Sequence, residues 1–211
     1  MRVTPSKGSI TMTTTTDIGV LDNRAAIRGA TRPRGRIAIL TADLVEDVEF
    51  FYPYYRFTEA GYDVDVLTPG GTEVSGYKGL ALRTGVQAIA DADADDYDAL
   101  FIPGGLAPSE LRDLPEALAF TSAFAQTGRL IGAVCHGPQV LISAGLVEGR
   151  RMTSWKDVAP EVREAGGHYI DEPVVEDGQF ITARKPGDMP LELARFMVRL
   201  AGEKGAGASH E

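Results

Sequence analysis

The chain has one cysteine, and it stands where a nucleophile would be built. An apolar, β-prone run, Leu130-Ile131-Gly132-Ala133-Val134, stops at Cys135-His136, and Gly137-Pro138-Gln139-Val140-Leu141-Ile142 reads as the start of a helix. A strand feeding a sharp turn and then a helix is the plan of a nucleophile elbow. The turn needs small residues two before and two after the nucleophile, and Ala133 and Gly137 occupy those places. The helix N-terminus would aim N–H groups and the positive dipole end at the sulfur, favouring thiolate and a pKa below that of a free thiol. The competing reading is a cysteine packed as a small hydrophobe in a core strand.

A nucleophile needs a proton partner and a site for the oxyanion. The stretch Ala42-Asp43-Leu44-Val45-Glu46-Asp47-Val48-Glu49 carries four carboxylates within seven residues, directly after the apolar run Arg36-Ile37-Ala38-Ile39-Leu40-Thr41. Glu46, about one turn past the strand end, is the candidate proton shuttle. Asp43, Asp47 and Glu49 read as solvated acids at a helix start, where the dipole favours them. Gly104-Gly105 follows another apolar run, and the N–H groups of Gly105 and His136 are the candidate oxyanion donors, with Gly104 beside them. Trp155 reads more readily as a core residue than as a substrate platform, though it stays a candidate for the site, and His168 reads as a surface or hairpin residue.

These residues need elements to position them. Arg36 to Thr41 predicts a strand buried on both faces. A helix follows with Val48, Phe51, Tyr52 and Tyr55 at helical spacing, a kink or fresh start at Pro53, and Gly61 at its C-terminal end. Tyr62 to Leu67 predicts a second strand, Thr72 to Asp91 a hairpin or small side sheet, and Tyr97 to Pro103 a third strand. Pro115 to Gln126 predicts a helix ended by Gly128, and the elbow strand comes next. Met152 to Trp155 reads as a short strand or loop, Asp157 to Ala165 as a helix, and Pro173 to Thr182 as a hairpin turning at Asp177-Gly178. Pro190 to Ala201 closes the chain as a helix. Alternating strands and helices predict a mostly parallel sheet sandwiched by helices, with the acidic cluster, Gly104-Gly105 and Cys135-His136 at strand carboxyl ends, where such sheets bind ligands.

Composition bounds the remainder. A chain of 211 residues, 44% apolar, fits one α/β domain. Residues 1–34 are Thr/Ser/Gly-rich without a period and read as a flexible arm, in which Ile18 to Leu21 is the segment that would dock and Met12 an internal start. The domain then spans 35–202, with a frayed tail over 203–211. Residues 1–35 carry six basic and two acidic side chains; the other 176 carry 15 basic and 28 acidic, a charge of −13. A body so acidic argues against nucleic acid as partner. One cysteine allows no internal disulfide and no CxxC metal motif, and it suits a reducing, cytoplasmic setting. No apolar run reaches the roughly 20 residues of a membrane span, so no membrane partner is expected.

Taken together, Thr41-Ala42 with Glu46-Asp47-Val48-Glu49, Tyr52-Pro53-Tyr54, Pro103-Gly104-Gly105, Ala133-Val134-Cys135-His136-Gly137-Pro138 and Leu141-Ile142-Ser143-Ala144-Gly145 resemble the ThiJ/PfpI superfamily. The nearest branch is that of PfpI-type intracellular proteases and protein deglycases, which Thr153-Ser154-Trp155 and Ala183-Arg184-Lys185-Pro186 also fit. The resemblance runs from Arg36 to Ala201 and implies a flavodoxin-like α/β/α sandwich, no metal or organic cofactor, and homodimers that can build hexamers. It implies that the Glu matching Glu46 hydrogen-bonds the cysteine matching Cys135, with His136 adjacent. Protease-type members carry an acid directly after the proline of the Gly-Gly-x-Ala-Pro loop; here Ser109 follows Pro108 and Glu110 comes one later. The expected activity is therefore a glyoxalase or deglycase reaction on small reactive carbonyls, with peptide hydrolysis and a non-catalytic stress or redox role as alternatives. A glutamine amidotransferase would need a downstream His-x-Glu, and His168 is followed by Tyr169-Ile170.

Overall fold

A computed structural model describes residues 33–82 and 85–207. The expectations for the arm, including the docking of Ile18 to Leu21, lie outside these residues except at its end, where the Arg34 N–H donates to the Gly61 carbonyl (2.9 Å).

In chain order the strands are β1 (Arg36–Leu40), β2 (Asp63–Thr68), β3 (Val74–Ser75), β4 (Ala81–Leu82), β5 (Val86–Ala88), β6 (Ala99–Ile102), β7 (Leu130–Val134), β8 (Arg151–Met152), β9 (His168–Tyr169), β10 (Val174–Asp177) and β11 (Phe180–Ala183). The helices are α1 (Asp47–Glu59), α2 (Ala107–Leu111), α3 (Pro115–Gln126), α4 (Pro138–Ser143), α5 (Ala159–Glu164) and α6 (Met189–Gly207). Seven strands form one sheet in the order β10-β11-β7-β6-β1-β2-β5. Every pairing in it is parallel except the β10–β11 hairpin. The chain leaves β1 on one side through β2 and β5, then returns to β1's other side with β6 and β7. The reversal between β1 and β6 is a switch point of the kind that opens a crevice at strand carboxyl ends.

The sheet is buried because its central strands carry almost no polar side chain; Ile37 to Leu40, Ala99 to Ile102 and Leu130 to Val134 are all inaccessible to water. Helices α1 and α6 pack on the same face, joined by the rings of Phe57 and Phe196 (5.4 Å between centroids), which also meet Phe101 of β6. Gly132 makes room for this aromatic cluster, since a Cβ there would lie 2.6 Å from Phe101. Helices α2, α3, α4 and α5 pack against one another in the other layer.

Several expectations needed correction. The helix from Asp47 runs through Pro53 without a break. The stripe expected from Val48, Tyr52 and Tyr55 faces outward, and the buried face is Glu49, Phe50, Pro53, Tyr54 and Phe57. The 72–91 stretch does contain a two-stranded side sheet, β3–β4, but its end, β5, joins the main sheet beside β2. Helix α2 was not foreseen; five residues are too few to show a period. The closing helix continues past Ala201 to Gly207.

Candidate active site

Cys135 sits at the carboxyl end of β7 with φ of 61°, a left-handed conformation that costs a non-glycine residue energy and is held only by its surroundings. Three hydrogen bonds hold it. The Cys135 N–H donates to Ala183 of β11 (3.0 Å), the Trp155 N–H to the Cys135 carbonyl (2.8 Å), and the Gly137 N–H to Val134 (2.7 Å). The small residue expected two after the nucleophile is needed here: a Cβ on Gly137 would lie 2.4 Å from the Ile102 carbonyl oxygen. The elbow therefore forms as its residue types dictate.

The carboxylate beside the thiol is Glu49 and not Glu46. Glu49 is fully buried, its Oε2 accepts the Gly104 N–H (2.8 Å), and its carboxyl lies against the Cys135 thiol. Oε1 is buried without a hydrogen-bond partner. Glu46 turns toward the cleft mouth, where its Oε1 accepts from Lys78 Nζ. Glu46 is the N-cap, with extended backbone (φ −67°, ψ 117°), and Glu49 lies within the first turn of α1, on the face buried with Phe50, Pro53 and Phe57, so only Glu49 reaches the thiol.

Of the other two acids, Asp43 is exposed as expected, whereas Asp47 is buried. Asp43 accepts the Ser75 N–H (2.7 Å). Buried Asp47 accepts the N–H groups of Lys78 (2.7 Å) and Leu80 (3.0 Å), fastening the 76–80 loop over the cleft. Gly76 permits this approach, since a Cβ there would fall 2.3 Å from Asp47 Oδ1.

Of the two glycines expected at the oxyanion site, Gly105 is placed for it. The N–H groups of Gly105 and His136 both point at the sulfur. The Gly104 N–H is taken by Glu49, and Gly104 serves instead as a point of close approach. A Cβ there would meet Glu49 Oε2 at 2.6 Å and Cys135 Cβ at 2.8 Å.

Burial dominates the electrostatics. It pushes the Glu49 carboxyl up to about 7, helped by the nearby Glu46 charge and opposed by the Gly104 N–H, the thiol and Lys78. Burial also pushes the Cys135 thiol up, and a charged Glu49 pushes it further, against the pull of the His136 and Gly105 N–H groups. These influences act against the thiolate expected from the elbow helix, α4, which has six residues. Two acids in contact titrate as a pair, the charge on one raising the pKa of the other. Burial pushes His136 down as well, toward its neutral form, with Asp157 and Glu161 opposing; its Nδ1 lies 3.3 Å from Sγ.

A cleft of about 340 Å³ opens over the thiol, lined by Glu46, Glu49, Tyr77, Lys78, Gly105 and Leu106, and on the far side by Cys135, His136, Trp155 and Pro186. Trp155 is thus part of the site, its ring 6.3 Å from that of His136. Glu110 is exposed on α2 and does not line the cleft. Sequence reasoning did not place Tyr77, Lys78, Leu106 and Pro186 in the site; the first two lie in a loop and the others at the starts of short helical turns, with no period to mark them. Among the described residues no group of three His, Cys, Asp or Glu side chains could hold a metal ion, and no helix is long and apolar enough to cross a membrane.

A parallel α/β sandwich with a strained cysteine at its switch point, paired to a buried glutamate, defines a class of elbow-cysteine proteins. Within that class the chain belongs to the DJ-1/PfpI family, whose pattern matches residues 35–199. It is 37% identical over 165 residues to a deglycase of Thermococcus kodakarensis, covering 78% of this chain and 99% of that one. It is 38% identical over 155 residues to a Bacillus subtilis protein named as a candidate cysteine protease, covering 73% and 91%. Among solved structures, a two-domain protein of Anabaena variabilis with DJ-1/ThiJ/PfpI-like and ferritin-like domains superposes with a TM-score of 0.77. The two are 36% identical, and the match spans 80% of this chain and 48% of that one.

Proposed function

We propose that the chain is a cofactor-free deglycase and glyoxalase that converts α-oxoaldehydes, free or carried as early glycation adducts, to hydroxy acids. The contact between Glu49 and Cys135 carries this reading. A carboxyl poised near 7 can accept the thiol proton and return it, which is what carbonyl chemistry at one carbon pair requires. Glu49 takes the proton as Sγ bonds to the aldehyde carbon, and the π pair moves onto oxygen. The N–H groups of Gly105 and His136, which face Sγ, hold that oxyanion. Glu49 returns the proton to give a hemithioacetal. It then removes the hydrogen from the same carbon and delivers it to the neighbouring carbonyl carbon, while the hydroxyl proton passes from the first oxygen to the second, leaving a thioester. Water hydrolyses the thioester, freeing the hydroxy acid and the thiol, and is the sole co-reactant for free methylglyoxal. From an adduct the amine departs with a proton.

Peptide hydrolysis is the second reading, supported by the protease-named relative. It fits the site less well. A cysteine peptidase works through a thiolate–imidazolium pair, whereas here burial pushes thiol and imidazole toward their neutral forms. The loop acid of protease-type members is replaced by Ser109, and Glu110 stays outside the cleft.

The test is to offer the purified chain methylglyoxal-treated Nα-acetyl-lysine and a fluorogenic peptide side by side. Lactate release that vanishes in Cys135→Ser is expected. Peptide cleavage without lactate would establish the peptidase, and oxidation of Cys135 by peroxide with neither turnover would establish a redox sensor.

A further inference from the structure

Glu46 is free of the proton relay, yet its carboxylate lines the same cleft as Cys135. Its ionic partner there is Lys78 Nζ, and the two side chains differ sharply in exposure, 13% for Glu46 against 61% for Lys78. We propose that the Glu46 carboxylate is a specificity-determining subsite for a cationic nitrogen of the substrate, occupied in the free enzyme by the ammonium of Lys78. The substrate class this selects is an oxoaldehyde adduct carried on an amino or guanidino group, in preference to one carried on a thiol. The assignment rests on the deglycase reading and deepens it.

Four observations support it. The chain's own lysine shows that an alkylammonium fits at this carboxylate in the cleft. Lys78 is mostly in water, where its ion pair is screened, so displacing it costs little. The shielded carboxylate stays behind to be re-paired. The walls beside it, Tyr77, Leu106, Trp155 and Pro186, offer apolar surface to an aliphatic stem and two ring faces to a cation. The acidic body, −13 over residues 36–211, draws cations toward the molecule. The opposite reading, Lys78 as a hook for a substrate anion, is disfavoured by the carboxylates around its ammonium, Glu46, Asp47 and Glu49.

Trp155 is the one tryptophan in the chain and lines the cleft, so binding can be read from intrinsic fluorescence without turnover. The full chain is titrated with n-butylammonium, n-butanol and butyrate. The ammonium is expected to saturate the signal with a Kd about tenfold below that of the alcohol, the scale of one charge-assisted hydrogen bond. Glu46→Gln should bring the two together, and Lys78→Met should tighten the ammonium further by removing its competitor. Tighter binding of butyrate, no saturable change with the ammonium, or an ammonium preference intact in Glu46→Gln would overturn the assignment. The deglycase reading fails separately, if the fluorescence titration behaves as expected and no lactate is released from the lysine adduct.

Discussion

At the scale of the residue, one proton shared between Glu49 and Cys135 governs the chemistry proposed. Glu49→Gln keeps the volume and the contact but cannot exchange a proton, so lactate formation should fall by about 100-fold or more, the usual weight of general acid–base catalysis. The base form of Glu49 is the one that accepts the thiol proton. The kcat/KM of the wild type should therefore rise with pH through a midpoint near 7, where burial has placed that carboxyl, and the Gln variant should lose this rise. A pH–rate profile of both proteins decides the matter; an unchanged midpoint in the variant would assign it to another group.

Among the elements, the start of α1 does more than begin a helix. Its acids each hold something different: Asp43 holds Ser75, Asp47 the 76–80 loop, Glu46 the Lys78 ammonium and Glu49 the Gly104 N–H. Asp47→Asn leaves one acceptor oxygen where two N–H groups now bind. The loop that carries Tyr77 and Lys78 should loosen, raising KM by about tenfold for the loss of one charge-assisted hydrogen bond. Faster hydrogen exchange at the Lys78 and Leu80 amides, measured beside KM, checks the cause.

For the molecule as a whole, the buried carboxyl of Glu192 on α6 is a cost. Both its oxygens lack a hydrogen-bond partner, and burial, with Glu49 and Asp188 adding repulsion, raises its pKa well above the ordinary carboxylate value. The sign follows from linkage. Once pH passes 4.5 the unfolded chain loses this proton and the folded chain keeps it, so stability falls as pH rises. Each pH unit within that window costs about 1.4 kcal/mol, or roughly 3–5 °C in Tm for a domain this size. Glu192→Gln removes the penalty. Its melting temperature should exceed that of the wild type by a margin that widens as pH rises above 5, and equal margins would show that the carboxyl is not the cause. The outward stripe of α1, with Val48 47%, Tyr52 38% and Tyr55 48% exposed, is the surface on which we expect the homodimer implied by the family resemblance. Tyr52→Glu with Tyr55→Glu should then halve the mass found by light scattering, whereas an unchanged mass would place any self-association elsewhere.

The sequence by itself determined the strand–elbow–helix around Cys135, because small residues at 133 and 137, a β-prone run and a proline at the helix start are local requirements satisfied locally. It also determined the parallel sandwich, since buried apolar strands alternating with helical patterns admit few arrangements. The choice between Glu46 and Glu49 belonged to the tertiary structure. Helix α1 carries apolar side chains on both flanks, Val48, Tyr52 and Tyr55 on one and Phe50, Pro53 and Phe57 on the other, so its pattern does not say which way it rolls. Packing of Phe57 against Phe101 and Phe196 settles the roll and swings Glu49 inward. The protonation of the site was decided at the same level, because desolvation depends on everything that surrounds a group. Burial beside a carboxyl pushes the Cys135 thiol toward its neutral form, against the pull of the N–H groups that face it.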